Sequence, residues 1–384
     1  MIKKRQHYIA QSYLRNFSPT KDYLYVFSFW QKRCSRNHIK NICKEDYFYG
    51  NDAIAQDFEN NLSVIENKHK KLIDKILNNF SLDNLSDDEY LGLLVFMLFQ
   101  AARTKTSKKN SRIIAKIIEQ KNQNQDIVDF DIFQEIPRKI NNGDYQFRRD
   151  FAITMHSAIN SVEAITDLKP VLLVNISDRN FICGDAPIVI FNNIKFSNHS
   201  SDGLLTPGLQ IFYPLNNELV LLILDQKAYT LDFDYDSICY VNKKSDIDSI
   251  NKMQFINALD FVLFSEIKQK KNIEKIFREI EKEIQNDVQR NFGSYKKGKE
   301  FLQKNKIWRQ FYYLSKYRTH KQNLTFISID EEYARNQIDK YNKILEIDQN
   351  AIPTRDKALA DKTIARLKKA HERMTVSLKE SSTK

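Results

Sequence analysis

Pro170-Val-Leu-Leu-Val-Asn-Ile-Ser-Asp-Arg-Asn-Phe-Ile-Cys-Gly-Asp-Ala-Pro-Ile-Val-Ile-Phe191 decides the fold class. It contains three short apolar runs, Val171–Val174, Phe181–Cys183 and Ile188–Phe191, separated by Asn, Asp, Gly and Pro. Apolar runs of strand length between turn residues read as buried β-strands. The same reading continues downstream through Leu219–Leu224, Ile238–Val241 and Phe261–Phe264, with one helix at 246–258.

Upstream of Pro170 the period is that of helices. Phe58, Leu62, Ile65, Leu72 and Ile76 mark a helix over 54–80. Ser86-x-x-Glu89 is a capping box that opens a helix from Asp87 to about Lys105. The run Leu91 to Phe99 within it is apolar on nearly every face, which places it deep in the core. Further helices are expected at 111–122 and 148–167. At the start, Tyr13, Leu14 and Phe17 recur at helical spacing in His7–Phe17, and Leu24-Tyr-Val-Phe-Ser-Phe29 reads as a strand. Helices followed by strands, without strict alternation, predict an α+β fold. The expected architecture is a helical N-terminal half packed on a mainly antiparallel or mixed sheet, followed by a helical C-terminal extension. That extension should hold helices at 271–291, 295–317, 331–347 and 354–379.

The charge divides at the same place. The 384 residues carry a net +11, but 271–384 hold 26 Lys+Arg against 16 Asp+Glu, and 1–270 hold 34 against 33. Two units follow: a near-neutral α+β core, 1–270, and a basic helical extension, 271–384. The extension is the expected contact for nucleic acid or another anionic partner. Composition excludes several classes. A content of 42% hydrophobic and 12% aromatic residues supports a large core, and 8 Gly with 7 Pro rule out collagen-like or linker-like chains. Cys34, Cys43, Cys183 and Cys239 form no C-x-x-C pair, so reduced thiols are expected. No apolar segment follows Lys3-Lys-Arg5 as in a signal peptide, and Leu91–Ala102 is too short to span a bilayer. A cytoplasmic protein without a membrane partner is the expectation.

Several residues could carry chemistry. His7, Gln11 and Arg15 stand at i, i+4 and i+8, one face if the segment is helical, and could line a site or lie on a solvated face. Glu59 and Glu66 are seven apart on a helix, and Glu66-x-x-His69 is half of a di-metal motif whose second half is missing. His69, surrounded by Lys68, Lys70 and Lys71, reads as solvated. Arg103 follows an apolar helix; such a guanidinium either meets an anionic partner or complements the helix end and snorkels to water. His156 lies beside the apolar stripe of Phe151, Met155, Ile159 and Val162, the usual place of a structural histidine. Asp185, in a turn after a strand, suits metal binding or an Asx turn before Pro187. There is no P-loop, dinucleotide fingerprint, H-E-x-x-H or nucleophile elbow, hence no nucleotide or flavin motif.

The opening Gln6-His-Tyr-Ile-Ala-Gln-Ser-Tyr-Leu-Arg-Asn-Phe17 resembles the signature Q-H-Y-[IV]-P-x-x-Y-L-R-x-F of a widespread microbial family classed as a domain of unknown function. Glu45-Asp-Tyr-Phe-Tyr49, the Glu59–Glu66 helix, Ala102-Arg-Thr104, Phe181-Ile-Cys-Gly-Asp-Ala-Pro187 and Phe212-Tyr-Pro-Leu215 are similar to its later landmarks, in order. The resemblance covers about residues 5–265. Two departures stand out: Ala10 where the family has Pro, and Cys183-Gly184 where it has Thr-Ser, which removes any role for those hydroxyls. The resemblance implies no activity, but it groups His7, Arg103 and Asp185 as parts of one site.

The function expected from these residues is a nucleic-acid-directed phosphodiesterase or nuclease, in bacterial defence or toxin biology. In it Asp185 with Glu59 or Glu66 would hold Mg²⁺ or Mn²⁺, and His7 would be the general base. Arg103 would offset phosphate charge, with His156 among the catalytic candidates and Gln11 and Arg15 as substrate contacts. The rival reading is a non-enzymatic nucleic-acid- or protein-binding module in which His7, Arg103 and Asp185 form a structural network.

Overall fold

In a computed structural model of the chain, residues 3–108, 145–196, 203–231, 237–292, 324–348, 351–366 and 369 are described. The helices expected at 111–122 and 295–317 lie outside them.

Strand β1 (Arg5–His7) leads into the short helix α1 (Gln11–Arg15). The hairpin β2 (Tyr23–Ser28) and β3 (Arg33–His38) follows, then β4 (Lys44–Asp46), which pairs antiparallel with β1. Helix α2 (Ala53–Asn79) starts where the Asp52 carboxylate accepts from the Ala55 N–H at 2.9 Å. It ends at Phe80, whose left-handed φ of 50° breaks the helical ladder. Helix α3 (Asp87–Ala102) carries the Ser86–Glu89 capping box, and Arg103 is its C-cap. After α4 (Tyr145–Asn160) come strands β5 (Lys169–Asn175), β6 (Cys183–Gly184), β7 (Val189–Asn192), β8 (Leu209–Pro214), β9 (Leu219–Leu224), β10 (Tyr229–Leu231) and β11 (Ile238–Val241). Helix α5 (Lys244–Asn257), β12 (Phe261–Phe264), α6 (Lys270–Phe292), β13 (Ile327–Ile329) and α7 (Glu331–Ile347) complete the sequence of elements. Residues 357–366 are also helical.

The protein is α+β. Its five-stranded sheet runs β11-β5-β9-β8-β7, antiparallel except for the β11–β5 pair. The four-stranded sheet, β3-β2-β12-β6, is antiparallel and joins the N-terminal hairpin to the last strand of the core. Strand β9 shows why the sequence has continuous apolar runs here. Leu219, Leu221 and Ile223 face one hydrophobic core with Leu93, Met97 and Phe99 of α3. Val220, Leu222 and Leu224 face a second core with Ile250 and Met253 of α5 and Ile273 and Phe277 of α6. A strand covered on both faces needs apolar side chains at every position, so the alternation disappears.

The composition boundary at 270/271 therefore separates surfaces and not cores. Ile273, Ile276, Phe277, Ile280, Leu324, Phe326, Ala334 and Tyr341 all belong to the second core. Strand β13 pairs with β10, and the buried Asp246 accepts from Thr325 N (3.0 Å) and Thr325 Oγ1 (2.6 Å). Arg355 donates to Asp167 (2.9 and 3.0 Å) and to the Ala164, Leu204 and Thr206 carbonyls. The described part of 271–384 is a layer of the body and not a detached arm. Its share of charge is balanced, because 271–283 and 324–366 hold 11 Lys+Arg and 12 Asp+Glu. The basic excess of the extension, and the anionic contact expected of it, falls on 284–323 and 367–384, whose side chains, Lys369 apart, lie outside the described residues.

The start of the chain also differs from its helical reading. His7 lies on β1, and the helix begins only after Ala10, so His7, Gln11 and Arg15 do not share a helix face. The reason is pairing: β4 offers Lys44 opposite His7, and the backbone ladder outweighs the weak propensity of an eleven-residue segment. Ala10 has φ −59° and ψ 134°, the conformation a proline ring would impose. A proline at this position would fit the backbone as it stands. Ala10→Pro is expected to raise unfolding free energy by about 0.4–1 kcal/mol in urea denaturation, by restricting the unfolded chain. Among the described residues no helix is long and apolar enough to cross a membrane, and all four cysteines are free thiols.

Candidate functional site

The opening segment is built into the body by its own polar groups. The buried Gln6 side chain donates to the Gly50 carbonyl (3.0 Å) and accepts from Tyr49 N–H (2.6 Å). Tyr8 N–H donates to the Cys43 carbonyl (3.0 Å), and the Tyr8 carbonyl accepts from Gln100 Nε2 (3.0 Å). Since successive side chains of a strand point to opposite sides, His7 and Tyr8 serve two different polar clusters.

The first cluster surrounds Arg103. Its side chain is fully buried, donating from Nε to Gln100 Oε1 (2.9 Å) and from Nη1 to Glu66 Oε1 (2.7 Å), with Phe96 and Phe99 rings beneath it. The guanidinium is thus partnered and does not snorkel to water. Burial works against its charge, but Tyr49 and Glu66 hold the guanidinium firmly protonated. Tyr49, buried beside it, donates its hydroxyl to the His7 carbonyl at 3.1 Å. Glu59, one helical stripe along from Glu66, is 5% exposed and takes Lys3 Nζ at 3.1 Å on Oε2. Burial raises the Glu59 pKa, and Lys3 opposes that rise. His69 closes the cluster from below, stacked on Phe96 at 3.5 Å with Nε2 3.4 Å from the Tyr213 hydroxyl. It is 4% exposed, so the expected solvated histidine is a core residue. Leu62, His69, Ile73 and Ile76 form the buried stripe of α2, and the lysines beside His69 lie on the other faces.

Three buried polar atoms in this cluster have no hydrogen-bond partner among the described residues: His7 Nε2, Glu59 Oε1 and Arg103 Nη2. Arg103 is within electrostatic reach of both His7 and Glu59, and so is Lys3. The His7 pKa is lowered to about 4, first by burial and then by Lys3, Lys44 and Arg103, while a hydrogen bond to the Lys40 backbone opposes this. At neutral pH the ring is uncharged, and in the Nδ1-protonated tautomer Nε2 is a free acceptor.

The second cluster lies across β1. Asp185 is buried, and its carboxylate oxygens accept from Leu259 N–H (2.7 Å) and Asp260 N–H (2.9 Å). Lys105 bridges Asp260 (3.0 Å) and Glu45 (2.6 Å) and stands 5.9 Å from the Tyr8 ring centroid. Asp260 also accepts from Trp30 Nε1 at 2.9 Å. The Asp185 pKa is pushed up to about 7 by burial and by the Asp260 charge, against the two backbone donors and Lys105. The side chain therefore clamps the 258–260 turn; the turn expected of Asp185 is a long-range one and not a local cap before Pro187.

The structure brings together His7, Glu59, Glu66 and Arg103, sets Asp185 in the neighbouring cluster, and leaves three candidates outside both. His156 meets Asn160 within its own helix. Gln11 and Arg15 meet each other at 3.5 Å on the outer face of α1. The carboxylates proposed for Mg²⁺ or Mn²⁺ do not form a donor set. Glu66 is engaged by Arg103, Glu59 by Lys3 and Asp185 by backbone N–H groups, and no group of three or more ligating side chains fits a metal ion among the described residues. Cations occupy the positions where such a site needs anionic oxygen. Sequence reasoning missed Lys3, Tyr49, Gln100, Lys105, Tyr213 and Asp260. Tyr49 and Tyr213 stand in recognised landmarks and could have been found there; Lys3, Lys105 and Asp260 carry no local pattern.

Comparison with curated proteins and with solved structures returned no match. The family described as "Protein of unknown function (DUF4238)" matches residues 5–268, which span β1 to the turn after β12 and contain both clusters apart from Lys3. The chain therefore belongs to the DUF4238 family of proteins of unknown function.

Proposed function

We propose that the chain is a nucleic-acid-directed phosphodiesterase that cleaves RNA by general acid–base catalysis at the Arg103 cluster, without a metal ion. The observation that carries this reading is the set of unpartnered atoms: a neutral imidazole nitrogen, a carboxyl oxygen and a guanidinium nitrogen within one cluster. Together these are a base, an acid and a phosphate donor. RNA suits such a site because its 2′-hydroxyl is a built-in nucleophile, held beside the phosphorus.

His7 Nε2 takes the 2′-hydroxyl proton as the new O–P bond forms. Arg103 Nη2 donates to a non-bridging oxygen. As the P–O5′ bond breaks, the departing oxygen takes the Glu59 carboxyl proton, leaving a cyclic phosphate and a 5′-hydroxyl. A bound phosphate also corrects the weak basicity of His7. It offsets Lys3, Lys44 and Arg103, the cations that add to burial in holding the imidazole neutral, and draws Lys3 from Glu59, which favours the protonated acid.

Purified protein in EDTA is expected to cleave labelled RNA to cyclic-phosphate ends and to spare the all-deoxy counterpart. His7→Gln should lower kcat/KM by about a hundredfold or more. Activity needs neutral His7, so the acid limb of kcat/KM should fall near pH 4. Equal cleavage by His7→Gln, or no cleavage by the wild type, overturns the proposal. The complete burial of Arg103 supports the second reading, a binding module without turnover, and RNA bound but left intact would select it.

A further inference from the structure

The near-neutral total of the core conceals a strong asymmetry. Residues 1–44 hold 10 Lys+Arg and one acidic residue, Asp22, whereas 45–270 hold 24 Lys+Arg and 32 Asp+Glu. Part of this basic charge is neutralised: Lys3 by Glu59, Lys4 by Asp46 and Lys32 by Glu281. Lys21, Arg33, Arg36 and Lys40 make no ion pair among the described residues.

The hairpin sets some of these cations around one exposed aromatic ring, Tyr23, beside the half-buried Tyr25, which is stacked on Phe264. The register Tyr23↔His38 and Tyr25↔Arg36 puts those four side chains on one face of the sheet, since directly opposed residues share a face. The Arg36 guanidinium lies 4.4 Å from the centroid of the Tyr23 ring, and His38 meets the same ring edge-on at 4.9 Å. Tyr23 is 40% exposed, so this stack is available to a ligand. Farther along the same face Phe27 is covered by Phe277 of α6, which confines the open part to the Tyr23 end.

That end adjoins the candidate site. Ile39 N–H donates to the Asp22 carbonyl (2.8 Å), closing the end of the hairpin, and His38 Nδ1 accepts from Lys40 N–H (3.2 Å). Lys21 and Lys40 flank this end in sequence, and the Lys40 backbone lies close enough to the His7 ring to act on it. A strand lying on Tyr23 and continuing past Lys40 would thus approach His7.

We infer that the Tyr23–Tyr25–Arg36–His38 face is a stacking platform for single-stranded nucleic acid, which leads the strand past Lys40 to the His7 site. An aromatic ring stacked with guanidinium and ringed by free cations binds unpaired bases with little sequence preference, whereas a duplex offers only its phosphates. The inference rests on the RNA reading for the identity of the strand but not for its binding.

The test is binding of a short 2′-O-methyl RNA, which the proposed reaction cannot cleave, to the full chain by fluorescence anisotropy. Tyr23→Ala is expected to weaken binding about tenfold. Arg36→Ala should weaken it and flatten the salt dependence by one phosphate contact. Both residues are exposed, so far-UV dichroism and melting temperature should match the wild type. A duplex of the same sequence should bind more weakly than the single strand. Because the 2′-O-methyl strand is bound and not cleaved, loss of binding is read separately from loss of turnover on ordinary RNA. Unchanged affinity in Tyr23→Ala, or equal affinity for the duplex, overturns the platform whatever the cleavage assay shows. Platform binding with no cleavage of ordinary RNA removes the enzyme reading alone.

Discussion

Arg103→Ala will lower the unfolding free energy by about 3–5 kcal/mol, read as a shift of the urea midpoint with an unchanged m-value. The wild-type side chain is wholly enclosed, and Glu66 and Gln100 accept its two hydrogen bonds. Removing it leaves a carboxylate without its cation, an amide oxygen without its donor and a cavity over Phe96 and Phe99. Glu66 retains 22% exposure and can rehydrate in part, which draws the expectation to the lower end of that range. Arg103→Lys keeps a charge near Glu66 but loses the planar fork that reaches Gln100 at the same time, and should fall between the two. A loss under about 1 kcal/mol would show that the pair is not a structural element of the body. Stability and catalysis are not exclusive here: Nε and Nη1 hold the residue, and Nη2 is the atom left for a ligand.

Asp185→Ala will cost a similar amount, and the cost will depend on pH. The substitution strands the Leu259 and Asp260 N–H groups in the interior, each at about 1–3 kcal/mol. The wild-type carboxyl has a folded pKa near 7, above its unfolded value of about 3.9. Its proton-linked contribution to stability is therefore complete below about pH 4 and is lost as pH rises through 7. That amounts to a few kcal/mol, because each pK unit is worth about 1.4. Buried His7 and His69 act in the opposite sense: with lowered pKa values they cost stability as pH falls below about 6.5. The difference between wild type and Asp185→Ala, measured by urea denaturation between pH 4.5 and 8, isolates the carboxyl. The variant should be most inferior at the acid end and less so at pH 8. A difference independent of pH would mean that Asp185 is ionised throughout.

Local pattern was enough to read the elements whose causes are local. The capping box at Ser86 and Glu89 opens α3 at the expected residue, and α7 matches its expected limits, opening after the Asp330 cap. The uninterrupted run Leu219–Leu224 is a strand buried on both faces, as its composition requires. Of the candidate site, Glu59, Glu66 and Arg103 were legible because helix spacing and an apolar helix ending in a cation are patterns within one segment. The charge asymmetry of residues 1–44 was also present in the sequence, but a sum over 1–270 averaged it away.

Other features depend on partners distant in the chain. His7 is on a strand because Lys44 lies opposite, and its Nε2 is buried without a partner because no described donor or acceptor packs against it. His69 is buried because Phe96 and Tyr213 converge on it, although three lysines adjoin it in sequence. Asp185 closes a turn more than seventy residues away, and residues 271–283 become part of the core because the second face of the sheet needs covering. By itself the sequence determined periodicity, caps, composition and the order of the elements, since these reflect interactions among near neighbours. Only the tertiary structure decided which polar atoms found partners and which three remained without, because burial and pairing are properties of the packed chain.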